Sequence, residues 1–371
     1  MAITVDTNIP AGNGVIDAID GSVIRLRPDL RTTLEPWFWW HVRVRGCEGQ
    51  RLRVVMGEPH TLTVRGAVVS RDQGRSWAWV PKYDPSQWEF EVEAGEDDEL
   101  RLALSIPYTR HDLDAWLAVH DGHPSLSRGE LCRSRSGASV PLLRVGNLSG
   151  KETRQAVITC RHHACESLAS FVLEGLLDAV LADDETGQHL ARTWCFQVVP
   201  QVDFDGVQAG DQGKSRAPHD HNRDYGPLPP VHPETEAIKD LFANACDHRL
   251  HLALDLHCPW VREAWNEHIY IVGHADSRRA ELQMRFARLI VTQVRGPLPY
   301  RAADTLPHGT AWNVGSLTPA SSFGRYASTV APDTATVATM EFPYAEVEGH
   351  AVTAEGARAH GRAMARAIVR L

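Results

Sequence analysis

Long apolar runs are missing from this sequence. No stretch of about 18 consecutive apolar residues occurs in its 371 residues, so no membrane-spanning helix is expected. The opening residues, MAITVDTNIPAG, lack the basic segment and apolar core of a secretory signal, and none is expected. A basic excess is missing too. The formal net charge is -9, which argues against a general nucleic-acid binder while leaving room for a local basic pocket. Cysteines in paired spacing are absent: the seven present are odd in number and scattered, which fits reduced thiols in a cytosolic compartment. No internal repeat is visible. Histidine is abundant instead, at 19 residues, so any single His is a weak signal. With 43% hydrophobic residues, the chain can bury a substantial core, and its length favours two domains.

The first hundred residues read as strands. WFWWHVRVRG alternates from Phe38 to Arg45, and LRVVMG, LTVRGAVVS, SWAWVP, FEVEA and LRLALSIP follow, with turn residues between them. Many short alternating segments predict an antiparallel β-sandwich, assigned to residues 1–106. From residue 107 to 371 strands alternate with helices, the pattern of an α/β domain with a mixed sheet between helices. Leu113, Trp116, Leu117 and His120 share a helix face, and SRGELCRSRSG reads as a polar connection. QAVITC reads as a buried strand, followed by a helix over Ser167 to Leu181 in which Leu168, Phe171, Val172, Leu176 and Val180 keep helical spacing. Further strands are expected at WCFQVVP, HLALDLHCP, EHIYIVG and ATVATMEF, and helices at RRAELQMRFARLIVTQV and the C-terminus. Asp203 to Glu236 has no periodicity. A loop that long in a compact domain is functional or disordered, and its density of Asp, Arg, His and Asn favours function.

In open α/β sheets ligands collect beyond the carboxyl ends of strands. Here VITC runs into Arg161-His162-His163-Ala164-Cys165-Glu166, LALDL ends on His257, VATM runs into Glu341, and FQVVP runs into the Asp203 loop. His163 and Glu166, three residues apart, can face one side of a helix's first turn. With His257 they make a His₂Glu set, the three-ligand pattern of a catalytic zinc site, one Zn2+ per chain. His-x-x-Glu by itself is more often a solvated helix face. A lone Glu in an apolar strand is harder to dismiss, because burying a carboxylate is costly unless it is paired or working. Glu341 is therefore the candidate base for a metal-activated water. Asn222, Arg223, Arg216 and Lys214, all in the long loop, are candidate donors to a carboxylate or an oxyanion.

Taken in order, these segments resemble the cytosolic carboxypeptidase branch of the funnelin zinc metallocarboxypeptidases. TCRHHACESLASFVLEGLLDAV is similar to that family's aRvHPGEtnaSwvmeGll, VPQVDFDGVQAGDQGKSR to vPmlNPDGVinGnyR, and HDHNRDY to vDLNRxW. LDLHCP is similar to lDlHgHs, TATVATMEF to the late yTlE strand, and WFWWHVRVRG with IPYTRHDLDAWL to the branch's β-sandwich opening and PYtysdL junction. The resemblance implies zinc on His163, Glu166 and His257, and Glu341 as catalytic base. It implies Arg216 or, in its place, Lys214 as the oxyanion stabiliser, and Asn222 with Arg223 on the terminal carboxylate of a peptide or protein substrate. Preference for an acidic C-terminal residue would put Arg325 in the side-chain pocket, and a cis peptide is expected at Cys258-Pro259. The departures are Ala164-Cys165 for Pro-Gly, Asp203-Phe204 for Asn-Pro and His221 for Leu. For the family's substrate-closing tyrosine the candidate is Tyr326. Other readings stay open: a zinc amidase or acylase of N-acyl amino acids, and a non-catalytic binding protein. A metal pair of His219 and His221, and Cys165 or Cys258 as thiolates, rank below their bland alternatives of solvated loop histidines and small buried cysteines. The 11 tryptophans are expected in the core.

Overall fold

Between Thr4 and Ala103 alternation builds two sheets. The strands are β1 (Thr4–Asp6), β2 (Val15–Asp20), β3 (Val23–Arg27), β4 (His41–Arg45), β5 (Arg51–Met56), β6 (Val68–Ser70), β7 (Ala78–Trp79), β8 (Glu89–Glu93) and β9 (Glu99–Ala103). One sheet has the order β1-β4-β9-β6-β7 and the other β2-β3-β5-β8. All their pairings are antiparallel except β3 with β5, which is parallel. Ile24, Leu26, Leu52 and Val54 of one sheet share a core with Val42, Val44, Leu100 and Leu102 of the other, as in a sandwich. The structure is a computed structural model that describes residues 2–149, 153–245, 249–314 and 321–371.

Strand β4 begins at His41 rather than Phe38. Trp39 drops out because a side chain takes its backbone: Trp39 N donates to Gln212 Oε1 at 2.7 Å, and Gln212 Nε2 donates to Trp39 O at 2.8 Å.

After α1 (Arg110–Val119) the chain lays down β10 (Leu126–Arg133), β11 (Ser139–Gly146) and β12 (Arg154–Cys160), then α2 (Ser167–Leu181) and α3 (Glu185–Thr193). Next come β13 (Trp194–Val199), α4 (Phe204–Ala209), α5 (Pro233–Ala245), β14 (Leu250–His257) and β15 (Tyr270–Ile271). The chain ends with α6 (Ser277–Gln293), α7 (Phe323–Val330), β16 (Thr336–Glu341) and α8 (Ala354–Ile368). A seven-stranded mixed sheet has the order β10-β11-β13-β12-β14-β16-β15, with β13, β12, β14 and β16 parallel at its centre. The expected polar connection at 127–137 is half strand. Its composition is polar because β10 is an edge strand that meets solvent. The aperiodic segment from Asp203 is also partly helical: α4 is too short to show a period, and Asp203 caps it by accepting from Gly206 N at 3.1 Å. Among the described residues no helix is long and apolar enough to cross a membrane.

Helices α2 and α8 touch through glycine. A Cβ on Gly361 would sit 1.9 Å from Val172 O, and one on Gly175 would sit 2.0 Å from Arg358 O. Gly361→Ala is thus expected to destabilise by about 1–3 kcal/mol through overpacking. In an exposed helix the same change would stabilise by up to about 1 kcal/mol. Thermal unfolding checks this, and a Tm at or above that of the wild type would contradict it.

Candidate active site

Strand β12 stops at Cys160, and the chain reverses through Arg161, whose φ of 62° is left-handed. A non-glycine residue pays for that conformation unless its surroundings fix it. Arg161 is fixed: it is 2% exposed, and its guanidinium donates to Tyr108 O at 2.9 Å, Ser170 Oγ at 3.1 Å and twice to Ala164 O. The turn so braced presents His163, then Glu166 as the residue that opens α2.

His257 ends β14 and Glu341 ends β16, and the parallel register sets the two directly side by side. His163, Glu166 and His257 then converge, their ligand atoms within 4.8 Å of one another. His163 Nδ1 lies 2.8 Å from Glu166 Oε1, and His257 Nδ1 lies 2.8 Å from Glu166 Oε2. The far nitrogens face other carboxylates: His257 Nε2 is 2.7 Å from Asp255 Oδ2, and His163 Nε2 is 3.5 Å from Asp220 Oδ1. Two imidazoles oriented by outer carboxylates, with a third carboxylate between their inner nitrogens, fit a divalent metal of the zinc class. Asp255 lies two residues before His257 on one strand face. Its Oδ1 also accepts from Thr159 Oγ1 at 2.9 Å and meets His162 Nδ1 at 2.8 Å. His162 thus belongs to the support. Its Nε2 faces the Tyr225 hydroxyl at 2.8 Å, and burial holds its pKa below the ordinary range.

A cleft of about 790 Å³ opens over this group. Glu341 lines it with Oε2 buried and lacking a hydrogen-bond partner, and burial pushes its carboxyl up to about 7. Lys214 reaches in from the loop after α4, its Nζ 2.7 Å from Glu166 Oε1 and 3.2 Å from Cys258 O. Burial opposes its charge, but Glu166 more than compensates and holds it above the ordinary lysine range. Asn222, Arg223 and Arg325 also line the cleft. Asn222 Oδ1 accepts from Phe323 N at 2.9 Å, so its amide Nδ2, 3.3 Å from His257 Nε2, is turned toward the ligand group. Arg325, near the start of α7, is exposed, and among the described residues no carboxylate pairs with it.

Other expectations fall elsewhere. Arg216 does not line the cleft; its guanidinium donates to Asp203 Oδ1 at 2.9 Å and Asp211 Oδ2 at 3.0 Å. Cys258-Pro259 is not cis, the trans form being the X-Pro default by about 0.5–1 kcal/mol; the cis bond is Ala217-Pro218. Tyr326 packs among Tyr225 and Phe242 rather than over the cleft. His219 pairs with Asp224 at 2.6 Å. His221 is buried and stacks on His232, their centroids 3.8 Å apart and planes 24° from parallel; with Glu234, and not with His219, these two bring ligand atoms within 4.8 Å of one another. Cys165 and Cys258 are buried, and burial raises both thiols, Cys165 to about 11, which disfavours a thiolate. Trp39 and Trp40 are core as expected, but Trp37, Trp260 and Trp312 line the cleft.

No protein-family model matches the chain. The structure superposes on a metallo-carboxypeptidase from Burkholderia cenocepacia with a TM-score of 0.79 at 20% identity, covering 99% of this chain and 98% of that one. The fold is that of the metallo-carboxypeptidases. A Pseudomonas aeruginosa metallo-carboxypeptidase in complex with (2-guanidinoethylmercapto)succinic acid gives 0.77 at 21% identity, over 99% and 98%. By sequence the chain is similar to cytosolic carboxypeptidases. It is 26% identical to cytosolic carboxypeptidase 6 of Caenorhabditis elegans over 318 residues, 77% of this chain and 68% of that protein. It is 35% identical to cytosolic carboxypeptidase 2 of Xenopus tropicalis over 147 residues, 37% of this chain but only 15% of the longer relative.

Sequence reasoning missed Asp255, Asp220 and Arg161 as supports. The Asp at i-2 in LALDLH was the one local signal. Asp255→Asn should weaken divalent-metal affinity by about 10–100-fold while leaving the stoichiometry intact. Competition against a chelator measures it, and unchanged affinity would remove Asp255 from the metal's support.

Proposed function

We propose that this chain is a zinc-dependent carboxypeptidase that releases C-terminal residues from peptides or proteins. The observation that carries the reading is the convergence of His163, Glu166 and His257 beside the unpartnered carboxylate oxygen of Glu341, in one cleft. A zinc ion held by the first three would supply Lewis-acid activation of water and of the scissile carbonyl. Glu341 takes the water's proton and returns it to the leaving amine, a task suited to a carboxyl raised toward neutrality. Lys214 is favoured over Arg216 as the cation that faces the developing oxyanion, since it lines the cleft while Arg216 is committed to two aspartates. Asn222 offers an amide N–H₂ and Arg223 a guanidinium to the substrate's terminal carboxylate. Arg325, in the cleft lining and with no carboxylate of its own among the described residues, would grip an acidic side chain by its planar fork. Residues 1–106 act as a module beside the catalytic part, residues 107–371. The reading places the protein in the cytosol, in keeping with its free cysteines and with the names of its relatives.

Release of single C-terminal residues from a peptide library, set against hydrolysis of N-acyl amino acids, separates this reading from an acylase; turnover of neither points to a binding protein. Glu341→Gln should retain fold and metal and lower turnover by about 10²–10⁴-fold, because an amide cannot accept the proton. Near-normal turnover would move the base elsewhere. In the same library C-terminal Glu and Asp should be released faster than Leu or Lys. Arg325→Leu should erase that preference without changing metal content, and unaltered selectivity would count against Arg325.

A further inference from the structure

The loop that carries Lys214 is held from both sides. On one side lies the N-terminal module. Arg31 donates to Ala209 O at 2.6 Å and Asp211 Oδ1 at 2.7 Å, and Asn13 Nδ2 donates to Gly210 O at 2.9 Å. Leu34 N donates to Ser215 O at 2.9 Å. On the other side lies the ligand turn. Cys165 N, between His163 and Glu166, donates to Gln212 O at 3.1 Å, and a Cβ on Gly213 would meet Ala164 N at 2.2 Å. Gln212 is the residue common to both. It is 1% exposed, its side chain makes the two-way bridge to the Trp39 backbone, and its own carbonyl receives the ligand turn. The module also supplies a wall: the Trp37 ring lines the cleft, and Lys214 Nζ sits 4.8 Å from its centroid.

We propose that Gln212 is a positioning residue that fixes the Lys214 ammonium through the N-terminal module, with Trp37 as the module's contact on that ammonium, so that the module is a working part of the active site. This rests on the reading of Lys214 as the oxyanion cation. A side chain that spans a strand-like backbone on both its N–H and C=O holds the loop more rigidly than a single bond would. The cation two residues on then inherits that rigidity.

The test is a kinetic double-mutant cycle with a structural readout beside it. Lys214→Ala is expected to lower kcat by about 10²-fold. Gln212→Ala should lower kcat at least about tenfold with little change in KM, and should cost nothing further in the Lys214→Ala background. Gln212→Glu, which keeps the acceptor for Trp39 N, should recover part of the loss. Trp37→Leu, at a half-buried position that does not threaten folding, should give a smaller loss that also vanishes in the Lys214→Ala background. Independently of activity, trypsin should cut after Lys214 faster in Gln212→Ala than in the wild type, at a temperature where both are folded. Losses that add in the double mutants, or unchanged turnover in both single variants, would overturn the proposal. If the wild type releases no C-terminal residue, the reading of function fails, and the trypsin comparison still decides: equal cutting rates would overturn the anchoring role, and faster cutting in the variant would uphold it.

Discussion

Glu166 has no exposed side-chain surface, and three groups meet at its carboxylate: His163, His257 and Lys214. A buried charge costs several kcal/mol unless its lone pairs are satisfied, so this one carboxylate dictates where the others go. The same demand passes outward. Each imidazole that turns one nitrogen to Glu166 turns the other to Asp255 or Asp220, and Asp255 is in turn satisfied by Thr159 and His162. A polar network this deep is stable only when every member is matched, which makes the central carboxyl ends of the sheet a fixed frame and not an adaptable surface. Glu341 is the exception. Its Oε2 has no hydrogen-bond partner and, at the end of β16 beside the trio of His163, Glu166 and His257, is available to a reacting molecule.

The frame depends on the sheet's register. His257 and Glu341 are neighbours because β14 and β16 are parallel and in step, and a slip of either strand by one residue would turn its end residue to the opposite face. Continuous burial along β12, β14 and β16 specifies that register, since these strands are covered on both faces. Chemistry at the strand ends is therefore placed by apolar packing several residues earlier.

What was legible in the sequence follows from this. The central strands, α2 and the convergence of His163, Glu166 and His257 were readable because short continuous apolar runs mark buried strands and because the strands run into ionisable residues. Edge strand β10 was not, since a strand that meets solvent loses the apolar signal. Short α4 was hidden by its length. The roles of Arg216 and Lys214 could not be separated, because two residues in an aperiodic loop differ by a backbone reversal that spacing does not report: Ser215 between them has φ of 45° and sends their side chains apart. Lys214 meets Glu166 while Arg216 meets Asp203 and Asp211. Nor could Trp37 be told from its core neighbours, as alternation assigns a face to a residue but not the edge of a cleft formed by distant chain.

The turn from His163 to Glu166 departs from the motif it resembles, in which proline and glycine stand between the two. Here Ala164-Cys165 occupies those positions without a positive φ, and the reversal is made at Arg161. It takes the left-handed conformation and is held there by four donated hydrogen bonds, two of them back to Ala164. A tight reversal can be made by a residue free to adopt it or by one forced into it from outside. The second route suits a turn that is buried against Tyr108 and Ser170, because the groups that do the forcing are already rigid. It also explains why the small Cys165 is accommodated: its N–H goes to Gln212 and its sulfur lies 3.6 Å from the Tyr344 hydroxyl, a residue whose carbonyl accepts from Ser105 at the foot of the N-terminal sheets. The turn that would hold the metal is thus shaped by residues from both halves of the chain, with Arg161 bracing its start and Gln212 receiving the N–H of Cys165.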